Sequence, residues 1–174
     1  MNENRKKLLI ELLKEVDPKK PYGTELFDAL ALLTVSVPIE AVCLRWNTAS
    51  QKVEVYLAQR SPDDTAYPDK WHCPGSFIRP GEEIKDVFAR LSKKEFASAS
   101  LSSIKFVSNV NHPTETRGHC FSVVYLCVLE EKERLRGSWF PVNQLPEKTV
   151  KSHRKRIIPA AFGAFVAANT SIST

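Results

Sequence analysis

At 174 residues, 43% apolar and 26% charged, the chain suits one domain with its own core plus a terminal extension, and its composition excludes a disordered polymer. A net charge of +5 favours anionic partners. The longest apolar stretch, 29–39, is broken by Thr34, Ser36 and Pro38, and the N-terminus lacks the continuous apolar segment of a secretory leader. A membrane span is therefore excluded and a cytoplasmic location is expected.

In chain order, residues 4–16 form an amphipathic helix in this reading. Leu8, Leu9, Leu12, Leu13 and Val16 share one face, and Asp17-Pro18 ends it. A loop over 18–23 leads to a short helix over 24–33, capped by Thr24. Residues 1–36 are thus read as an N-terminal helical extension that packs on the main domain, 37–174, or on a second copy as a homodimer. Strands are predicted over 39–46 and 53–59, joined by a turn, and the Pro- and Asp-rich segment 60–70 reads as loop. Residues 84–96 have helical spacing, with Ile84, Val87, Phe88 and Leu91 on one stripe. Strands over 104–110 and 119–129, joined by segment 113–118, precede a short strand at 139–142. The apolar stretch 153–168 closes the chain as a helix that tolerates Pro159 only near its first turns. The order of elements is that of an α+β fold.

Cys43, Cys73, Cys120 and Cys127 show no zinc spacing and read as free thiols, Cys73 alone lying beside the candidate site. His72, His112 and His119 suggest no metal site either. Lys148, Lys151, Arg154, Lys155 and Arg156 make the densest basic run. No aromatic residues interleave it, so it reads as a solvated helix start and nucleic acid is not the expected partner.

The segment 71–97 carries the chemistry. It opens with Trp71-His72-Cys73-Pro74-Gly75, continues with Gly81-Glu82, and ends in a helix bearing Arg90 and Glu95. This resembles the Nudix box: Gly, five residues, Glu, seven residues, Arg-Glu, apolar, any, Glu-Glu, any, Gly. In that register the defining positions hold Ser76, Glu82, Arg90, Leu91, Lys94, Glu95 and Ala97, of which Glu82, Arg90 and Glu95 match. Leu57-Ala58-Gln59-Arg60 before the box, and Trp139-Phe140-Pro141 with Leu145-Pro146 after it, extend the resemblance over 39–168.

The resemblance implies an α/β/α sandwich around a mixed sheet. It implies hydrolysis of a nucleoside diphosphate linked to a second group, assisted by magnesium or manganese. Glu82, Arg90 and Glu95 would be catalytic. Glu82, Glu95 and the later loop acid Glu133 would hold the metal. Arg60, Trp71, Gly75, Ser76, Phe77 and Lys94 would contact a nucleotide-like ligand.

The helix departs from the family pattern where it matters most. Magnesium takes hard oxygen ligands, and spacing i, i+3, i+4 sets three side chains on one helical wall. Here those positions are Leu91, Lys94 and Glu95. An ammonium about 4 Å from a cation costs roughly 4 kcal/mol per product of unit charges at intermediate dielectric, and twice that for a divalent ion. Three functions stay open: a nucleotide-binding domain with weak or no hydrolysis, a magnesium-dependent diphosphate hydrolase, and an interaction scaffold. Simpler roles stand beside them. Glu82 would suit the helix dipole without catalysis, and Glu95 could be a helix-end acid paired with lysine. Arg60 could be an ordinary strand-end charge. Trp71 and Phe77 could be core rather than stacking platforms, and Gly75 and Gly81 would serve tight turns.

Overall fold

The structure, a computed structural model, describes residues 1–130 and 135–170. Its elements are α1 (Glu3–Lys14), α2 (Thr24–Ala31), β1 (Pro38–Asn47), β2 (Lys52–Gln59), β3 (Trp71–His72), β4 (Gly75–Phe77), α3 (Ile84–Glu95), β5 (Leu101–Glu115), β6 (Gly118–Leu129), β7 (Ser138–Pro141) and α4 (Ile158–Thr170). A π-helical turn, His153–Ile157, leads into α4. The Ile158 amide reaches back five residues to the His153 carbonyl. This widened turn comes immediately before Pro159, whose ring would clash with a carbonyl in a regular helix. Proline is therefore accommodated deeper in the helix than its sequence position suggests.

The sheet runs β3-β2-β1-β6-β5, with β1 and β6 parallel and the remaining pairs antiparallel. β1 changes partner along its length. Pro38–Glu40 pairs with β4, and Leu44–Asn47 pairs with β2. β7 adds to the far edge of β2. Strands covered on both faces read as continuous apolar runs, and β1 is buried from Pro38 to Leu44.

Two cores follow from the alternation of side chains. Ile39, Ala41 and Cys43 meet Val87, Phe88 and Leu91 of α3 on one face. Val42 and Leu44 meet Ile157, Ile158 and Ala161 on the other. The result is an α/β/α sandwich, as the sequence predicts. Glu40 falls between Val42 and Pro38 on the α4 face, a carboxyl in an otherwise apolar row.

Some expectations change. Segment 113–118 is mostly strand, because β5 and β6 form one long bulged hairpin. Box residues 71–77 supply two short strands, β3 and β4. In the N-terminal extension only α2 is docked. Ala31 is buried and Phe27 stacks on Phe77 with ring centroids 4.9 Å apart. No residue of α1 is buried, and Leu8 is 60% exposed. Among the described residues, no helix is long and apolar enough to cross a membrane.

Candidate functional site

The loop from β4 into α3 is tied to the helix by one arginine. Arg90 Nη2 donates to Glu82 Oε2 at 2.7 Å and Nε donates to Oε1 at 3.1 Å. Its remaining hydrogens reach Ser76 Oγ and the Phe77 carbonyl, the latter at 3.1 Å. Glu82 Oε2 also accepts the Arg79 amide at 2.9 Å. Burial alone would raise the Glu82 pKa; the Arg90 and Arg79 contacts outweigh it and hold the carboxylate below its usual range. The acid expected to favour a helix start thus orders the whole box loop through Arg90.

A cleft of about 750 Å³ opens beside this loop, with α2 as its far wall. Six cationic side chains line it: Lys20 from the N-terminal extension, and Arg60, Arg79, Arg90, Lys94 and Arg117 from the main domain. Asp64 fixes two of them, accepting from Arg60 Nη1 at 3.0 Å and from Arg117 Nη2 at 2.9 Å. Burial opposes ionisation of Asp64, but the Tyr67 and Ala66 amides and the two arginines bring its pKa down to about 2. Phe27 closes the cleft between Phe77 and the Arg117 guanidinium, which stands 5.9 Å from its ring centroid.

Of the residues singled out in the sequence, Arg60, Ser76, Phe77, Arg90 and Lys94 line this cleft. Others fall elsewhere. Trp71 is half-buried, packs edge-on against Phe140 at 4.9 Å beside the α4-side core, and does not line the cleft. Leu91 is 1% exposed and belongs to the α3-side core; α3 turns Arg90 and Lys94, not residue 91, toward the cleft. The Glu95 carboxylate is 16% exposed and faces Lys94 Nζ at 3.8 Å. Glu133 lies outside the described residues.

The two glycines differ. Gly81 has φ +81° and serves the turn as expected. Gly75 is an ordinary strand residue whose missing Cβ makes room for the Glu40 carboxyl. All four cysteines are buried and free.

Sequence reasoning missed Arg79, Arg117, Phe27 and Asp64, which long-range folding brings to the cleft. It also missed Glu40, for which a signal existed: an acid inside the run Pro38-Ile39-Glu40-Ala41-Val42 has no ordinary place in a strand covered on both faces.

Among the described residues, the acids of the box are engaged by cationic side chains. Glu82 gives both oxygens to Arg90, Glu95 faces a lysine, and the cleft wall of α3 is cationic. Among the described residues, no group of three or more His, Cys, Asp or Glu side chains could hold a metal ion.

The family model for the NUDIX domain matches residues 38–161. The chain belongs to the NUDIX family. No curated protein matches it. Among solved structures, this NUDIX domain is similar to a MutT/nudix family protein from Enterococcus faecalis, with TM-score 0.59, 19% identity, and 93% of this chain and 69% of that one covered. It is similar to the NUDIX domain of Shewanella oneidensis NrtR complexed with ADP ribose, with TM-score 0.61, 20% identity, and coverage of 95% and 99%. Shewanella oneidensis NrtR complexed with a 27mer DNA also matches, at TM-score 0.58 and 17% identity, with coverage of 75% of this chain and 62% of that one. At these identities the likeness concerns the fold. The DNA complex leaves the sequence-based expectation against nucleic acid without support.

Proposed function

We propose that this NUDIX domain binds a nucleoside-diphosphate-type ligand in the α2-walled cleft and hydrolyses it weakly or not at all. One observation carries the reading: Arg60, Arg79, Arg90, Lys94 and Arg117 surround a cleft whose helix offers no cluster of metal-binding carboxylates among the described residues. A diphosphate needs its charge offset. In metal-dependent relatives of the box a divalent cation does this, whereas here fixed guanidinium and ammonium groups do it directly. Lys94, with a side chain 72% exposed, is free to swing onto a phosphate. The ADP ribose bound by the NrtR NUDIX domain supports the ligand class.

The test is calorimetry with ADP-ribose in EDTA and in magnesium, with product analysis alongside. Binding of equal strength in both buffers, without turnover, is expected. Binding that needs magnesium or manganese, with turnover lost in Glu95→Gln, would instead establish a metal-dependent hydrolase.

A second reading concerns residues 1–36. The face of α1 carrying Leu8, Leu9, Leu12 and Leu13, each at least 39% exposed, suits an interaction arm that brings two copies together as a homodimer. Light scattering of the whole chain and of a form lacking residues 1–21 tests it: a monomer in both cases rules it out.

A further inference from the structure

Helix α2, the far wall of the cleft, is too short to hold itself. It has eight residues, and Gly23 at its N-cap provides no side-chain cap. Isolated helices shorter than about 12–15 residues are marginal in water, so α2 depends on what it docks against. It is docked over the cleft by a ring, a carboxylate and a carbonyl. The Phe27 ring lies on Phe77, the Asp28 carboxylate meets Thr65 and Arg117, and the Ala31 carbonyl sits on the β5–β6 turn. That last approach is close: a Cβ at Gly118 would stand 2.5 Å from the Ala31 oxygen. Residues 32–35, which follow the helix, are all exposed.

The ionic part of this docking is incomplete. Asp28 Oδ1 stands 3.8 Å from Arg117 Nε, beyond hydrogen-bond reach. Both atoms are buried, and among the described residues neither has a hydrogen-bond partner. Thr65 Oγ1 donates to the other oxygen of the same carboxylate, Asp28 Oδ2, at 2.8 Å. Arg117 is drawn the other way, its Nη2 donating to Asp64 at 2.9 Å. The guanidinium thus holds Asp64 tightly and Asp28 loosely. Arg117 and Asp28 both line the cleft, so an anion placed there reaches the unpartnered Nε–H.

We infer that α2 is an autoinhibitory latch: Asp28 stands in for a ligand phosphate at Arg117, and an anion that takes Arg117 loosens the helix. The inference rests on the reading that a diphosphate lies in the cleft. A phosphate oxygen would accept the Arg117 Nε–H in a charge-assisted hydrogen bond, stronger than the loose contact it replaces. Asp28 would then face a like charge, with its cation engaged elsewhere. The Phe27 ring, the Thr65 hydrogen bond and the Ala31 carbonyl would be left to hold a helix that does not persist alone. Docking of α2 and binding of the nucleotide therefore oppose each other. The coupling is reciprocal, so a change that weakens docking strengthens binding. A wall that merely lined the ligand would behave in the opposite way and become more ordered with the cleft filled.

The experiment combines calorimetry with hydrogen exchange on the full chain, using ADP-ribose as the probe, for wild type, Asp28→Asn and Thr65→Val. Asp28→Asn removes the charge that draws Arg117. Thr65→Val changes no charge and lies outside the cleft lining, but removes the other anchor of the Asp28 carboxylate. Asp28→Asn is expected to bind at least fivefold more tightly than wild type, and Thr65→Val at least twofold. In wild type the amides of residues 24–31 should exchange faster once ADP-ribose saturates the protein. Affinities equal to wild type or weaker, or amides that slow on binding, would overturn the latch and leave the ligand reading intact. Tighter binding by Asp28→Asn without faster exchange in wild type would reflect the lost charge alone and would also overturn it. If none of the three proteins binds, both readings fall. Should Asp28→Asn fail to fold, Thr65→Val and the wild-type exchange decide.

Discussion

Arg90 and Glu82 meet through two parallel contacts, Nη2–Oε2 at 2.7 Å and Nε–Oε1 at 3.1 Å, while the same guanidinium holds Ser76 and the Phe77 carbonyl. One side chain therefore pins both ends of the loop between β4 and α3. Arg90→Ala takes the guanidinium from the Phe77 carbonyl and leaves the partly buried Glu82 carboxylate with the Arg79 amide, and a loss of about 1–3 kcal/mol is expected. Arg90→Lys should recover less than half, because an ammonium cannot make the paired fork. Urea denaturation of the three proteins measures this. A lysine variant as stable as wild type would show that charge alone, and not the fork, orders the loop.

Leu91 and Lys94 occupy positions that the family pattern assigns to acids, yet they face different surroundings. Leu91 is 1% exposed against Val87 and Phe88, and Lys94 stands in the cleft. Leu91→Ala should cost about 2–5 kcal/mol by opening a cavity in the core. Leu91→Glu should cost more, since it buries an unpaired charge. Lys94→Ala should stay within about 0.5 kcal/mol of wild type, as surface changes do, while weakening ADP-ribose binding. Restoring an acid at position 91 is therefore expected to unfold the helix wall rather than create a metal ligand. Thermal melts with and without magnesium check this, and a stable Leu91→Glu protein that gains stability from the metal would contradict the burial.

The sequence makes these elements legible where periodicity is strong. The stripe Ile84, Val87, Phe88 and Leu91 defines α3, and the alternation of Val53, Val55 and Leu57 defines β2. It also argues against a functional Leu91, since that residue belongs to the apolar stripe as much as to the motif register; the helical face decides between them. Trp71 follows the same logic, its motif position giving no account of the Phe140 ring beside it. What stayed hidden depends on contacts between residues far apart in the chain. Arg117 reaches Asp64, and Phe27 reaches Phe77, only because the β5–β6 hairpin and α2 converge on the box loop. No local spacing encodes that meeting.

Glu40 and His153 give stability opposite slopes with pH. His153, with its pKa lowered to about 3, stays neutral while an unfolded histidine takes up a proton below about 6.5, so its contribution grows as pH rises through that point and then levels off. Glu40, with its pKa raised from 4.5 to about 8, keeps a proton that the unfolded chain releases, so stability falls as pH rises through that window. Between pH 6.5 and 8 the lowered histidines His72, His112 and His153 still add a smaller rise, because an unfolded histidine is half protonated at about 6.5, so the Glu40 slope is isolated by comparison with Glu40→Gln. At about 1.4 kcal/mol per pH unit for one proton, wild type should lose up to about 2 kcal/mol relative to Glu40→Gln across that interval. Glu40→Gln should lose little. Urea denaturation at the two ends of the interval measures both proteins, and parallel losses would place the titrating group elsewhere.

Gly75 and Glu40 are directly paired across β4 and β1, and a Cβ at Gly75 would overlap the Glu40 carboxylate and stand 3.0 Å from its Cδ. The glycine is required by a neighbour and not by its own backbone. Gly75→Ala alone should cost about 1–3 kcal/mol by overpacking. In a Glu40→Ala background most of that cost should vanish, because the overlapping group is gone. Only the 3.3 Å approach to the Ile39 carbonyl would remain. A double-mutant cycle should therefore give a coupling of at least about 1 kcal/mol. Additive stabilities would separate Gly75 from Glu40 and remove the steric contact as the reason for the glycine.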